Sequence, residues 1–313
     1  MKNRNFFITV LKTAGLLVGI LLVKEFCLKE THGFSLSAIR SDRPFNPEWE
    51  THPLTSIEQE ELAKAIKQPY YSFGSAGGQS FVFFSEDQQY VIKFFKQRFF
   101  NVPLWIRITP LPTIFKPYRD KKTFNRMQKL RRDFASYKMA FDHLQSETGL
   151  IYVHLNRTDN LNKTLAILDP LNIEHKINLD EYDFIIQKKA EPIYDRIGRT
   201  MFNGQRDEAM KAISSTLDLL IAYSSKGFFD RDPNIRTNCG LLGDSPVLID
   251  IGKIMRDERM ASPLQYQQTV REICEPFTDW LQSAYPELVP YLKNELDRKL
   301  HQPGNTICEN DYY

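Results

Sequence analysis

The chain has 313 residues, enough to bury a large core, and its 42% hydrophobic and 26% charged residues are the composition of a globular protein. Its 41 basic and 39 acidic residues leave a formal charge of +2, too weak a field to draw in nucleic acid, which is excluded as a partner. Cys27, Cys239, Cys274 and Cys308 are scattered without CxxC spacing, so no zinc site is expected.

Residues 6–23, FFITVLKTAGLLVGILLV, are apolar apart from Lys12 and follow Lys2 and Arg4. That is the length of a short membrane span, and no small-residue cleavage site comes after it. Residues 1–30 therefore read as a single N-terminal membrane anchor, with a cleaved export signal as the alternative. Lys2 and Arg4 favour a cytoplasmic N-terminus, whereas Lys24 and Lys29 pull the other way, so the side of the membrane stays open.

Residues 31–69 are polar, contain Gly33, Pro44, Pro47 and Pro53, and read as a linker ending in a short helix. Thr55 and Glu58 have the spacing of a capping box, which predicts that helix from Ser56 through Ile66. From Tyr70 the pattern becomes β-like. Residues 80–84 and 89–95 form a predicted hairpin around the polar turn 85–88. A Pro- and aromatic-rich insertion at 97–118 has no legible role. Apolar residues recur three or four apart from Phe124 to Leu144, predicting a helix over 120–145. Strands are expected at 149–155, 165–169 and 182–187, and a helix at 206–225 closed by Lys226 and Gly227. A short apolar strand at 247–249 and helices at 263–284 and 286–301 complete the chain. A β-rich part, 70–190, thus precedes a helical part, 191–313: an α+β fold of two lobes.

The residues able to do chemistry fall in a fixed order. Gly74, Gly77 and Gly78 precede the first hairpin strand, where bare backbone can approach phosphate oxygens. Lys93 stands in the second strand, within Val91-Ile92-Lys93. Asp133 is the carboxylate chosen on the long helix to pair with that lysine, with Asp120 and Asp142 as alternatives. The segment 227–254, GFFDRDPNIRTNCGLLGDSPVLIDIGKI, gathers Asp230, Asp232, Asn238 and Asp250. One carboxylate can accept the proton of a nucleophile, while an amide oxygen and a second carboxylate hold Mg²⁺ against phosphates.

At these positions, over about residues 70–301, the sequence resembles the protein-kinase-like superfamily. Gly74, Gly77 and Gly78 resemble its glycine-rich loop, Val91-Ile92-Lys93 its Val-Ala-Ile-Lys strand, Arg231-Asp232 and Asn238 its catalytic loop, and Asp250-Ile251-Gly252 its Asp-Phe-Gly. The resemblance implies a bilobal protein-kinase-like fold with ATP and Mg²⁺ as cofactors. Lys93, paired with Asp133, would position the phosphates, Asp232 would be the base, and Asn238 and Asp250 the metal ligands. Residues 187–190, including Lys188, would form a hinge whose backbone takes the adenine. The departures are an extra residue between Asp232 and Asn238, Asp230 in place of histidine, and no Ala-Pro-Glu. Asp230 is thereby an alternative base. The implied activity is phosphotransfer to a protein or small molecule. A pseudokinase binding nucleotide or protein, or a membrane-tethered scaffold without nucleotide, are the rival readings.

Overall fold

The computed structural model describes residues 2–72, 78–101 and 116–301, the side chains of residues 2–7, 9 and 10 excepted. The fold is α+β, and the chain divides into two compact units: residues 1–130 with 152–186, and residues 131–151 with 187–313.

The first unit holds helix α1 (Lys2–Glu30), helix α2 (Ser56–Ile66) and the start of helix α3 (Lys116–His143). Its strands are β1 (Tyr70–Ser72), β2 (Ser80–Ser85), β3 (Tyr90–Phe95), β4 (Leu150–His154), β5 (Thr164–Leu168), β6 (Glu174–Asn178) and β7 (Phe184–Lys188). They form a seven-stranded sheet in the order β4-β7-β3-β2-β1-β5-β6, the last residues of β7 and the first of β4 lying in the second unit. The expected hairpin is β2–β3, with Val82 opposite Lys93 and Phe81 opposite Phe94. Asp87 makes its turn: the carboxylate accepts from Ser85 Oγ at 2.7 Å and from the Gln89 amide at 2.9 Å, and Gln88 takes φ 61°. Alternation places Phe81, Phe83, Ile92 and Phe94 on one buried face. There Phe34 packs edge-on against Phe81 and Phe83, with ring centroids 5.3 and 5.4 Å away.

Helix α2 begins with the expected capping box: the Thr55 amide donates to Glu58 Oε2 at 2.7 Å, and the Glu58 amide to Thr55 Oγ1 at 3.3 Å. Strand β6 escaped the sequence reading because Glu-His-Lys-Ile-Asn buries only Ile177, as an edge strand can. Helix α3 begins earlier than expected, and its apolar stripe is buried only from Leu130 onward. Phe124 and Met127, read as part of that stripe, are exposed. Most of the insertion, residues 102–115, lies outside the described residues.

Residues 34–49 depart furthest from expectation. Their polar, proline-bearing composition reads as a tether, yet Phe34, Ile39 and Trp49 are buried and the segment is bonded into the first unit. The Ser41 amide donates to the Glu181 carbonyl at 3.0 Å, Arg40 bridges to Tyr182, and the Asn46 amide donates to Asn156 Oδ1 at 2.9 Å. Arg43 forms an ion pair with the fully buried Asp183, while Gln97 Nε2 donates to the same carboxylate at 2.9 Å. Burial outweighs the Arg43 attraction and holds the Asp183 carboxyl above its ordinary range.

Helix α1 leaves Leu16, Leu17, Ile20, Leu21 and Val23 exposed. Among the described residues no helix is long and apolar enough to cross a membrane, so they give the expected span no support; Phe6, Phe7, Thr9 and Val10 of that span have side chains outside the description.

The second unit carries the rest of α3, helices α4 (Ile193–Phe202), α5 (Arg206–Ser225), α6 (Pro263–Ala284) and α7 (Val289–His301), and strands β8 (Glu191–Pro192), β9 (Phe228–Asp230), β10 (Cys239–Leu242), β11 (Ser245–Leu248) and β12 (Ile254–Arg256). The helix expected at 206–225 is α5, and Gly227 follows it with φ 79°. A Cβ on Gly227 would lie 2.9 Å from the Asp257 carbonyl, so glycine is required both by its dihedral and by its neighbour. Apolar residues of α4, α5, α6 and α7, among them Ile197, Leu217, Phe277 and Leu292, are fully buried and form this unit's core.

Removing one partner of a buried ion pair strands the other charge, at about 3–5 kcal/mol. Arg43→Ala is accordingly expected to lower the unfolding free energy by about that amount in urea titrations. A loss under about 1 kcal/mol would mean that residues 34–49 contribute little to the first unit.

Candidate functional site

In the second unit the ladder β9–β12 pairs Ile254 with Asp230, Met255 with Phe229 and Arg256 with Phe228. This brings the loop after Asp230 beside the residues just before Ile254. The Arg231 amide donates to the Lys253 carbonyl at 3.2 Å, fastening the two segments one residue further on. The short hairpin β10–β11, with Cys239 opposite Leu248, brings Asn238 toward Asp250 from the other end; the Ile249 amide donates to the Asn238 carbonyl at 2.7 Å. Two antiparallel pairings therefore gather residues spread over 227–254.

A small pocket of about 90 Å³ results, lined by Asp230, Asp232, Asn234, Thr237, Asn238, Asp250 and Lys253. Asn238 is nearly buried and sits at its centre of bonding. Its Nδ2 donates to Asp230 Oδ2 at 2.8 Å and to the Asp232 carbonyl at 3.1 Å, while its Oδ1 accepts from Thr237 Oγ1 at 2.7 Å. Both oxygens of Asp230 are engaged, since Oδ1 accepts from the Asp232 amide at 2.9 Å. The Asp232 carboxylate instead stands out from the loop, 68% exposed, and pairs with Lys253.

The two carboxyls are pushed apart. Burial above all, helped by the charge of Asp250, raises Asp230 despite its hydrogen bonds from Asp232 and Asn238. The hydrogen bond and charge of Lys253 hold Asp232 below its ordinary range.

Asp250-Ile251-Gly252 is docked on α3. Ser136 Oγ donates to the Ile251 carbonyl at 2.5 Å. The Tyr137 hydroxyl occupies the space a side chain at 252 would need: a Cβ there would lie 2.7 Å from that oxygen and 3.2 Å from Cζ. Tyr137 is itself buried, and burial, then the charges of Asp250 and Asp133, push its phenol well above the ordinary range. Asp133, buried and 3.4 Å from Arg132 Nε, is thus close to the Asp250 segment through Tyr137.

The other sequence candidates are placed as follows. Lys93 is half-buried on β3 in the first unit, on the sheet face of Val82. Gly74 and Gly77 lie outside the described residues; Gly78 is exposed, and among the described residues nothing lies within 4 Å of where its Cβ would be. Lys188 ends β7, its amide donating to the Gly149 carbonyl at 2.9 Å, while Gln187 Nε2 donates to the Thr148 carbonyl at 3.0 Å. Of the sequence candidates, Asp230, Asp232, Asn238 and Asp250 line this pocket; Asn234, Thr237 and Lys253, which also line it, were not among them. Lys253 directly follows Asp250-Ile251-Gly252 and Thr237 directly precedes Asn238, and that adjacency was the available signal.

No family model matches the sequence, and no curated protein matches it. Among solved structures it is similar to the bifunctional kinase-methyltransferase WbdD, at 17% identity over 74% of this chain and 45% of that one, with a TM-score of 0.34. A 2.2 Å crystal structure of WbdD gives 17% identity, 74% and 46% coverage and a TM-score of 0.36. The chain spans less than half of WbdD. It is also similar to the protein in the Rv3197–erythromycin complex from Mycobacterium tuberculosis, at 11% identity over 83% of this chain and 73% of that one, with a TM-score of 0.28. At such values the weight of any functional reading rests on the residues of the pocket.

Filling a site already occupied by a ring hydroxyl costs about 1–3 kcal/mol in strain. Gly252→Ala is expected to destabilise the protein by that much in thermal or chemical unfolding, and Tyr137→Phe in the same chain to recover a substantial part. Equal destabilisation with and without the Tyr137 hydroxyl would locate the strain elsewhere.

Proposed function

We propose that the chain is a protein-kinase-like phosphotransferase that uses ATP and Mg²⁺ in the pocket around Asn238. One observation carries this reading: the Asn238 amide nitrogen donates to Asp230 and to the Asp232 backbone, which turns its oxygen away from both, and that oxygen, which accepts one hydrogen bond from Thr237 Oγ1 and keeps a second lone pair, stands with the Asp250 carboxylate as a pair of hard oxygen donors in one polar pocket. Mg²⁺ is commonly held by one or two protein ligands and completed by substrate phosphates and water. The donor set here fits that habit. Among the described residues no three His, Cys, Asp or Glu side chains gather closely enough to hold a metal by themselves.

When bound, Mg²⁺ would neutralise charge developing on the phosphates. The chain's own residues have distinct tasks. Asn238 and Asp250 would hold the metal. Asp230, with both oxygens committed, positions the loop, and Asp232, displayed at the rim and kept ionised by Lys253, is the base for the acceptor hydroxyl. Lys93 is assigned to the nucleotide phosphates from its strand motif. The acceptor is a protein or small molecule.

A ligand that binds only the folded state stabilises it by about 2.7 kcal/mol at a hundredfold excess over Kd. A clear thermal shift with ATP and Mg²⁺ together is expected, stronger than with either alone. Asp250→Ala should abolish its metal-dependent part, and Lys93→Ala should weaken it. Asp232→Ala should preserve the shift and remove turnover, because a base acts in the transition state. A shift without ATP consumption would favour the pseudokinase; no shift at millimolar nucleotide with Mg²⁺ or Mn²⁺ would defeat both and leave the scaffold.

We also infer membrane attachment through α1. Its support is the run of exposed apolar side chains on that helix together with the apolar sequence 6–23. The full-length protein should stay with the membrane fraction through carbonate extraction, and release into the supernatant would overturn this.

A further inference from the structure

The first half of helix α3 carries charge out of proportion to the rest of the chain. From Lys116 to Lys129 it holds six cations, Lys116, Arg119, Lys121, Lys122, Arg126 and Lys129, against one carboxylate, Asp120, which pairs with Arg119. That stretch is +5 in a chain of +2, so all other residues together sum to −3. At physiological salt a surface charge is felt over about 8 Å, so a near-neutral total does not weaken what this patch attracts at contact.

The cations divide by what they touch. Arg126 donates to the Arg98 and Asn101 carbonyls, and Lys129 Nζ to Gln79 Oε1 at 2.7 Å, which pins the helix to residues on either side of the β2–β3 hairpin. Lys116 and Lys121 are exposed instead, and the Lys122 ammonium lies over the Tyr118 ring, 5.4 Å from its centroid. Large apolar side chains stand among them: Phe124 is 60% exposed, Tyr118 57% and Met127 40%. Lys121 and Phe124, three residues apart, share one face of the helix. An anionic bilayer answers both features. Its headgroups take the ammonium ions, its acyl boundary takes the rings, and the lysine stems reach between the two. The same support carries α1. The Ile39 carbonyl, in the segment that follows α1, accepts from Gln97 Nε2 at 3.2 Å, and residues 98–101 beside it hold Arg126. All of these lie in the first unit, so the exposed apolar helix and the basic face are bonded to one short stretch of chain.

We propose that the first half of α3 is a docking surface for an anionic lipid bilayer, with Lys116, Lys121 and Lys122 on the headgroups and Tyr118, Phe124 and Met127 at the acyl boundary. This docking needs neither nucleotide nor phosphotransfer. Unlike attachment by α1, it requires negatively charged lipid.

The experiment titrates full-length wild type, Lys116→Gln/Lys121→Gln and Phe124→Ser with vesicles of phosphatidylcholine, alone and mixed with phosphatidylserine. All three positions are exposed, so the variants should melt like the wild type. A lysine at an anionic surface is worth about fivefold in affinity. The wild type is expected to prefer the serine-containing vesicles, and the double variant to lose roughly twenty-five-fold of that preference. High salt should erase it as well, and Phe124→Ser should weaken binding to the serine-containing vesicles severalfold. Whatever α1 contributes is common to the three chains and cancels in the comparison. Should α1 hold every chain irreversibly on both vesicles, position 124 is read directly. Phe124→Trp emission, corrected for the wild-type tryptophans, should then be quenched by brominated acyl chains only where phosphatidylserine is present. Binding confined to the serine-containing vesicles would sustain the surface while counting against α1. A wild type indifferent to phosphatidylserine, a double variant that keeps the full preference, or a tryptophan at 124 already shielded from aqueous acrylamide without vesicles overturns the proposal. Equally tight, lysine-dependent binding of soluble polyglutamate, with Phe124→Ser silent, also overturns it and makes the face a site for an acidic protein segment.

Discussion

A primary amide has a donor end and an acceptor end, and the direction in which Asn238 points decides what its pocket can hold. Two acceptors, the Asp230 carboxylate and the Asp232 carbonyl, take its nitrogen. The oxygen is then fixed on the opposite side. Had Asp230 been apolar, only one backbone bond would set that orientation, and a buried side chain with a wrong or wavering dipole cannot select a cation. Asp230 therefore acts through Asn238 and the Asp232 amide, and its cost is visible in the upward pressure that burial and Asp250 place on its carboxyl. The neighbouring Asp232 is spared that pressure by exposure and by Lys253.

Under the proposed phosphotransferase reading, this division bears on an ambiguity of the sequence. With histidine replaced by Asp230 and an extra residue before Asn238, either aspartate could be numbered as the base. Spacing alone counts residues; it says nothing about which oxygen is already taken. The bonds assign Asp230 to holding the loop and leave Asp232 presented. The same limit explains why the Gly252–Tyr137 contact was invisible. Tyr137 lay in the apolar stripe of a predicted helix, and a stripe gives no hint that one ring oxygen will fill the place of a missing Cβ.

Elements with strong local signals were legible to within a few residues. The capping box at Thr55, the glycine after α5 and the alternation of β2 each carry their cause in adjacent residues. Elements whose cause is tertiary were not. Strand β6 exists because β5 offers it an edge to pair with, Phe124 and Met127 are helical without being covered, and residues 34–49 are ordered by partners more than fifty positions away, such as Gln97 and Asp183. Polar composition and prolines describe what a segment can do when left alone, and this one is not.

That anchoring has a mechanical side. Helix α1 ends at Glu30, its last turn is closed by the Gly33 amide on the Leu28 carbonyl at 2.8 Å, and Phe34 is already inserted between the rings of the sheet. There is no slack between the helix and the first unit's core. A pull along α1 would be resisted by the Phe34 contacts and, behind them, by the Arg43–Asp183 pair, so that tension on the N-terminus becomes strain in β2, β3 and the start of β7 rather than the straightening of a loose cord.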